Sequence, residues 1–260
     1  MASAGELLNR LSTDLHDDLG DGLLGVAAHG SWVSGDFVEG RSGLGVLVIL
    51  REDPGRETLG IVSALHQRLI RDYPRWRDHM EIDFVSPTAV QDALDGGESH
   101  VMARICPGEL LHLARVSLQY LLNWRSAVEH NHVLYGRAPG DLLPHITDEV
   151  VREAVLQNVR RWPDWADDLP GAGGEAYAVL TLCRASVLLR ESRWVSKRVA
   201  SEELEAQQPR WAALIRWARE WWYAAGLSID TTREAEVSAF VRELSGHLIE
   251  ESLTPLPAAG

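Results

Sequence analysis

The sequence has little lysine, little cysteine and no long apolar run. Of its 25 basic residues only Lys197 is a lysine, and the others are arginines. Cysteine occurs only at Cys106 and Cys183, far apart in the sequence, which makes a poor disulfide framework and is typical of a reducing cytoplasm. No stretch of about eighteen residues is apolar throughout, so no transmembrane helix is predicted. The first residues lack a basic segment followed by an apolar one, so no signal peptide is predicted either.

Positive charge is scarce in relation to negative charge. The 260 residues carry a formal net charge of −13. An acidic chain repels a phosphate backbone on average, so nucleic-acid binding is not predicted, whereas a cationic small molecule would be attracted. A surface acidity that only keeps the protein in solution is the alternative. We expect a cytoplasmic monomer or weak oligomer that binds no membrane and no nucleic acid.

The first half of the chain alternates helix and strand patterns. Apolar residues at helical spacing predict a helix over 4–17, and another over 57–71. Short apolar runs predict strands at 23–28, 44–50 and 80–85, and the second of these is the nearly continuous run typical of a central strand. Residues 32–43 are rich in glycine and aspartate and predict a loop. A long helix is expected over about 108–128, followed by a short apolar run at 132–135.

Strand patterns are almost absent from the second half. The predicted helices there are 148–161, 175–191, 201–206, 209–224 and 232–251. The pattern therefore predicts an α/β domain followed by an all-α domain, with a boundary at 140/141.

Three short motifs in the first half carry candidate chemistry. Gly30-Ser31 follows an apolar strand, and Ser42 stands directly before the next strand in the segment SGLGV. The third motif is the pair Glu81 and Asp83 on the strand MEIDFV. Residues two apart on a strand face the same side, so this pair shares a face. An edge-strand acid pair that points at water is the alternative.

In the second half, the run VLTLCR at 179–184 ends in Arg184, and Lys197 and Tyr223 follow. Arginine offers a fork of donors, lysine a compact charge and tyrosine a hydroxyl, which together suit a polyphosphate. For Tyr223, packing within an aromatic face is the alternative. The segment WPDWADD at 162–168 precedes this run and combines tryptophan with carboxylates, which suits a cationic, hydroxylated ligand. A surface acid cluster is the alternative there.

These motifs resemble those of the aminoglycoside (streptomycin/spectinomycin) adenylyltransferase family, and the resemblance covers almost the whole chain. It implies an N-terminal polymerase-β-like nucleotidyltransferase domain at 1–140, a C-terminal helical bundle domain at 141–260 and a ligand cleft between them. It also implies that the phosphates of ATP are held by Ser31, Ser42, Arg184, Lys197 and Tyr223.

The resemblance gives Glu81 the role of the base that deprotonates the antibiotic hydroxyl, with Asp83 beside it. It carries recognition of the antibiotic to Trp162, Asp164 and Asp168. The segment around these residues departs from the family pattern: it is shorter before Asp164 and has a glycine-rich insertion at 169–174. A tryptophan that the family uses after its sheet has no counterpart near His100. The ligand is therefore expected to be a small hydroxylated or cationic natural product other than streptomycin.

The family binds two magnesium ions through the aspartates of a Ser-Asp-x-Asp motif, and the matching positions here are Gly43 and Gly45. Paired carboxylates hold the hard cations that clamp a triphosphate, so no metal-binding residue is assigned and magnesium is not expected, although ATP remains a candidate ligand. Three hypotheses follow. The protein is a ligand-binding pseudoenzyme, an enzyme repurposed for metal-independent acid/base chemistry, or an active adenylyltransferase in which Asp83, Asp36 or Glu39 replaces the lost ligands.

The His130-Asn131-His132 segment has no partner cysteine or third histidine at convincing zinc spacing, and neither cysteine sits in a recognisable nucleophile motif. We interpret them as structural.

Overall fold

The computed structural model describes residues 3–224 and 232–253, and the chain divides into two compact units between Val151 and Arg152. The elements of the first unit, in chain order, are α1 (Ala4–Leu19), β1 (Leu23–His29), α2 (Ser31–Ser34), β2 (Leu44–Leu50), α3 (Arg56–Asp72), β3 (Met80–Val85), α4 (Pro87–Leu94), β4 (Val101–Ile105), β5 (His112–Arg115), α5 (Leu118–Glu129), β6 (Asn131–Gly136) and α6 (Pro139–Leu142). Those that follow are α7 (Asp148–Trp165), which spans the division, α8 (Gly171–Glu191), α9 (Lys197–Gln207), α10 (Ala212–Tyr223) and α11 (Glu234–Leu253).

The six strands form one mixed sheet in the order β5-β4-β3-β2-β1-β6. Strands β2 and β3 are parallel, and the other neighbouring pairs are antiparallel. Every residue of β2 is buried, so the prediction of a central strand at 44–50 is confirmed. Because side chains alternate along a strand, the two faces of the sheet carry different residues.

One face of the sheet is apolar and packs against α1 and α3. It presents Val46 and Val48 of β2 with Ile82 and Phe84 of β3 to the leucine stripe of α1, and this cluster forms the core of the first unit. Burying each such side chain stabilises the fold by roughly 1.5–3 kcal/mol. The residues between these positions, including Gly45, Glu81 and Asp83, therefore project from the opposite face.

The prediction of a single long helix over 108–128 is wrong in its first part. Residues 112–115 form β5, an edge strand paired with β4, and the helix α5 begins only at Leu118. The strands turn at Pro107-Gly108, where Gly108 has φ 73° and the Glu109 amide donates to the Cys106 carbonyl at 3.1 Å. Residues 112–115 form a strand because hydrogen bonding to β4 stabilises them more than a helix with the same apolar spacing would be stabilised. Helix α4 and strand β4 are not predicted from the sequence.

The loop predicted at 32–43 is largely present, but its start is the short helix α2, which begins at Ser31. In the second unit, all five predicted helices occur. Helix α9 begins earlier than predicted because the Ser196 hydroxyl accepts the Val199 amide at 3.3 Å and so caps the helix just before Lys197.

Helix α8 lies at the centre of the second unit and contacts α9, α10 and α11. Among the described residues it is the one helix long and apolar enough to cross a membrane by length and composition, and 67% of its most apolar stretch is buried inside the protein. Burial of this kind is typical of a core helix.

Candidate functional site

Three neighbouring strands bring His29, Gly45 and Glu81 into one row on the polar face of the sheet. Gly45 on β2 is the pairing partner of His29 on β1 and of Glu81 on β3. Directly paired residues project to the same side, so the imidazole and the carboxylate flank the glycine. The structure therefore places Glu81 beside Gly45, one of the two positions that the resemblance aligns with a metal ligand.

The His29 ring lies over Gly45. A Cβ atom added at position 45 would meet Cε1, Nε2 and Nδ1 of His29 at 3.0, 3.1 and 3.3 Å. His29 is only 9% exposed, and this burial lowers its pKa to about 4, although the charge of Asp83 acts in the opposite direction. The ring is therefore neutral at neutral pH and fills the space that a larger residue at position 45 would need.

Position 43 is less crowded. A Cβ atom there would lie 3.7 Å from Oε2 of Glu81 and 4.0 Å from the His79 carbonyl, which is ordinary contact. An aspartate at this position would fit sterically but would place a second carboxylate next to Glu81. The two glycine positions thus differ, because only Gly45 is covered by a neighbouring side chain.

Arg104 on β4 binds both carboxylates of β3. Its Nε lies 2.6 Å from Oδ1 of Asp83, and its Nη2 lies 3.3 Å from Oε1 of Glu81. The indole of Trp124 donates to the other oxygen of Asp83 at 2.9 Å, and the Tyr120 ring lies 4.7 Å from the guanidinium. Asp83 is 3% exposed and has both oxygens bonded, so it is a buried structural anion.

Burial by itself would lower the pKa of Arg104, but the charges of Asp83, Cys106 and Glu81 outweigh it and raise that pKa above its ordinary value. The guanidinium is therefore a permanent positive charge between the two carboxylates. Glu81, whose side chain is 39% exposed, is the accessible member of the pair.

The two serines predicted to hold phosphates lie at the ends of one loop. Ser31 begins α2 directly after Gly30, which has φ 73°, a left-handed conformation that glycine adopts readily. Ser42 is buried, and its hydroxyl accepts the Val38 amide at 3.0 Å while its own amide donates to the Val38 carbonyl at 2.8 Å. Ser42 therefore closes the turn that leads into β2.

Gly43 and Gly45 carry no side-chain ligand for magnesium. Magnesium needs an octahedron of oxygen ligands, and neither Gly43 nor Gly45 supplies one. Of the three acidic residues named as replacements, Glu39 forms an ion pair of 2.7 Å with Arg75, Asp83 is held by Arg104, and Asp36 is buried. Arg104 places a guanidinium beside both carboxylates of β3.

In the second unit, the segment 194–198 connects the three residues predicted to grip phosphates. The guanidinium of Arg184 stacks over the Trp194 ring at 4.8 Å, and the guanidinium of Arg198 lies 4.1 Å from the Tyr223 ring. Between them, Lys197 begins α9. The segment that contains Lys197 thus contacts α8 through Arg184 and α10 through Tyr223.

The ammonium of Lys197 lies between aromatic rings. Its Nζ is 3.6 Å from the centroid of Tyr177 and 5.2 Å from that of Trp222. Cation–π contacts of this kind are worth about 0.5–2 kcal/mol, so the two rings hold the ammonium in place with only moderate strength. A polyanion that binds Lys197 has to compete with this contact.

The three residues predicted to bind the substrate differ in how exposed they are. Trp162 is only 6% exposed and packs edge-on against Trp165, with ring centroids 5.7 Å apart. Asp164 and Asp168 are exposed. The accessible aromatic surface here belongs instead to Trp165 and Tyr177, which are 43% and 45% exposed.

Sequence reasoning missed His29 and Arg104. For His29 a signal was available: it is the residue directly before Gly30-Ser31, and the β1–β2 pairing places it opposite Gly45. Arg104 lies on β4, which no pattern predicted, so its approach to Asp83 could not be foreseen.

A mixed sheet that carries a glycine-serine turn and paired carboxylates, followed by a helical unit, is the architecture of a nucleotidyltransferase fold. Residues 141–247 match the family model described as the C-terminal domain of aminoglycoside adenylyltransferase. Among solved structures, the chain is similar to spectinomycin adenyltransferase AAD(9) from Enterococcus faecialis, crystallised with ATP and spectinomycin. The TM-score is 0.74 at 20% identity, over 95% of this chain and 99% of that chain. No curated protein matches.

The fold prediction is thereby confirmed: an α/β unit with the fold of a nucleotidyltransferase precedes a helical unit that matches the C-terminal-domain model of aminoglycoside adenylyltransferase. At 20% identity the structural similarity establishes the fold alone.

Proposed function

We propose that this protein binds a nucleotide or another small-molecule ligand and does not carry out magnesium-dependent adenylyl transfer. The observation that carries the proposal is the His29 ring 3.0 Å from where a Cβ at position 45 would lie, next to two carboxylates already bound by Arg104. Two metal ligands are absent, a side chain at position 45 would have to displace the His29 ring, and a fixed cation neutralises part of the remaining negative charge. Losing even an outer-shell partner costs metal sites about 10–100-fold, so this set of changes removes metal-assisted transfer.

The placement of Arg184 and Tyr223 against the segment 194–198, which contains Lys197, supports retention of a phosphate grip. The donors of these three residues suit the oxygens of a polyphosphate. ATP is accordingly the first ligand to test. Spectinomycin adenyltransferase AAD(9), whose fold this chain shares, was crystallised with ATP.

The second ligand class is a cationic or hydroxylated natural product. The exposed carboxylates of Asp164 and Asp168 offer the charge that such a molecule needs. The partly exposed rings of Trp165 and Tyr177 add apolar surface, and each also contacts a basic side chain, Arg161 and Lys197 respectively. The net charge of −13 favours the approach of cations and disfavours nucleic acid.

A second candidate function is metal-independent acid/base chemistry at Glu81. This carboxylate is 39% exposed on its side chain, in contrast to the buried Asp83, and the imidazole of His29 lies on the same face of the sheet two strands away. A carboxylate that a ligand can reach is suited to accepting a proton. The alternative, an active O-adenylyltransferase, requires ligands for magnesium that the residues around Gly43 and Gly45 do not provide.

Calorimetry of ATP binding with and without magnesium tests the proposal. We expect ATP to bind equally well in both conditions, and the Lys197→Met variant to bind it at least ten-fold more weakly, while Lys197→Arg, which keeps the charge, retains more affinity. Thermal melting of both variants reports any loss of stability from the lost contacts with Tyr177 and Trp222.

The same protein is then assayed for AMP transfer to streptomycin and spectinomycin. Robust transfer that depends on magnesium would overturn the proposal and restore the adenylyltransferase alternative. Absence of any ATP binding would shift the weight to the acid/base candidate, which a screen of small metabolites against parent and Glu81→Gln protein then tests.

A further inference from the structure

The hairpin between β4 and β5 carries three metal-binding side chains close together. A thiol, a carboxylate and an imidazole, from Cys106, Glu109 and His112, each offer one ligand atom, and these atoms lie within 4.8 Å of one another. None of these three residues occupies position 43 or 45, to which the resemblance assigns metal ligands. None of the roles considered above uses it.

The turn explains why two of the three side chains meet. Pro107 and Gly108 occupy the central positions of a four-residue turn, and the Glu109 amide donates to the Cys106 carbonyl at 3.1 Å. Proline followed by a glycine with φ 73° is the arrangement of a type II turn. Cys106 and Glu109 are therefore held at the two ends of a tight turn.

His112 is brought to the turn by strand pairing. It begins β5 opposite Arg104, which lies two residues before Cys106 on β4. Its Nδ1 lies 3.1 Å from the Leu110 carbonyl and 3.4 Å from Oε2 of Glu109. The edge of the ring that carries Nδ1 therefore faces the Glu109 carboxylate.

The distances suit a tetrahedral ion after a small adjustment. Metal–ligand bonds of about 2.0–2.3 Å place tetrahedral ligand atoms roughly 3.3–3.8 Å apart, so atoms within 4.8 Å need to close by at most about 1.5 Å. Side-chain rotation can supply this, since the Glu109 and His112 side chains are 61% and 39% exposed. The same exposure gives an ion a path of entry.

We propose that Cys106, Glu109 and His112 bind one zinc ion, or a similar transition-metal ion, at the tip of this hairpin, with the fourth coordination position open to water or to a ligand. Thiolate and imidazole ligands select such ions over magnesium and calcium, which prefer oxygen ligands alone. Three protein ligands and one open position are typical of zinc sites in which water or a substrate occupies the fourth position.

Cobalt(II) absorption on the full chain, freed of metal by a chelator, tests the proposal. We expect one equivalent to produce the intense d–d bands of a tetrahedral ion and a thiolate charge-transfer band, and zinc to displace the cobalt. Burial raises the pKa of the Cys106 thiol to about 11, partly offset by Arg104, so binding releases a proton that calorimetry in buffers of different ionisation enthalpy detects.

Each ligand has a matched control elsewhere in the chain. Cys106→Ser should remove the charge-transfer band, and His112→Asn and Glu109→Gln should each weaken zinc binding by more than ten-fold. Cys183→Ala, at a buried cysteine in α8, and His145→Asn and Glu98→Gln, at exposed positions, should leave both measurements unchanged. Thermal melting without metal shows whether a variant is folded.

Lack of saturable zinc or cobalt binding by the folded parent protein would overturn the proposal. An octahedral cobalt spectrum without the thiolate band would do so as well, as would equal binding by parent and Cys106→Ser. Because the probe is the metal alone, none of these outcomes bears on the binding of nucleotides.

Discussion

The variants Gly43→Asp and Gly45→Asp should reveal the role of His29, because we expect the two substitutions to change the stability of the protein by different amounts. At position 45 a Cβ atom would approach three atoms of the His29 ring at 3.0–3.3 Å, closer than ordinary packing allows, so the ring or the strand has to move. Overpacking of this kind costs roughly 1–3 kcal/mol. At position 43 the nearest atom is at 3.7 Å, so Gly43→Asp should cost less than Gly45→Asp.

Urea unfolding of the single variants measures these costs. The matched control is Gly60→Asp in α3, where no atom lies within 4 Å of an added Cβ, and its free energy of unfolding should change by less than about 0.5 kcal/mol. If Gly45→Asp unfolds at the same urea concentration as the parent, the packing argument for His29 is wrong.

Magnesium binding by the aspartate variants then shows whether the His29 ring or the surrounding charge limits the magnesium affinity. The double variant Gly43→Asp/Gly45→Asp should bind magnesium weakly, because the His29 ring still competes for the space beside position 45. Adding His29→Ala should raise both the stability of this variant and its magnesium affinity, measured by calorimetry. Equal magnesium affinity with and without His29→Ala would refute the reasoning.

The remaining predictions concern charge. The pKa of His29 in the folded protein is about 4, below its ordinary value of 6.5, so between these pH values the unfolded chain binds more protons than the folded one. The free energy of unfolding should therefore fall by about 2 kcal/mol from pH 7 to pH 5. This loss should be absent from the His29→Phe variant. Arg104→Met leaves the buried Asp83 carboxylate without its cation and should cost about 3–5 kcal/mol in urea unfolding, whereas Arg104→Met/Asp83→Leu should recover most of it. Lys197→Met should lower the melting temperature only slightly, because the lost cation–π contacts are worth about 0.5–2 kcal/mol.

The elements with strong periodicity could be predicted from the sequence. The run at 44–50 is buried on both faces, and such runs of β-branched residues leave few alternatives to a central strand. The helices of the second half follow in the same way from their apolar spacing. By contrast, β5 is an edge strand of four residues whose apolar positions also fit a helix, and only its partner β4 decides between the two.

In the candidate site, only the relations between residues on the same strand could be predicted from the sequence. Glu81 and Asp83 were correctly placed on one face because they lie two apart on β3. Their guanidinium partner comes from a different strand, and the imidazole over Gly45 depends on the β1–β2 register. Contacts of this kind are set by strand pairing, which a single sequence does not reveal.

Arg104 has a consequence for how this protein responds to its surroundings. A bound metal ion exchanges with the solution, so its occupancy follows the free concentration of that ion and is abolished by chelators. A guanidinium that belongs to the chain is present in every molecule from synthesis onward. The charge around Glu81 and Asp83 should therefore stay constant when cellular magnesium rises or falls.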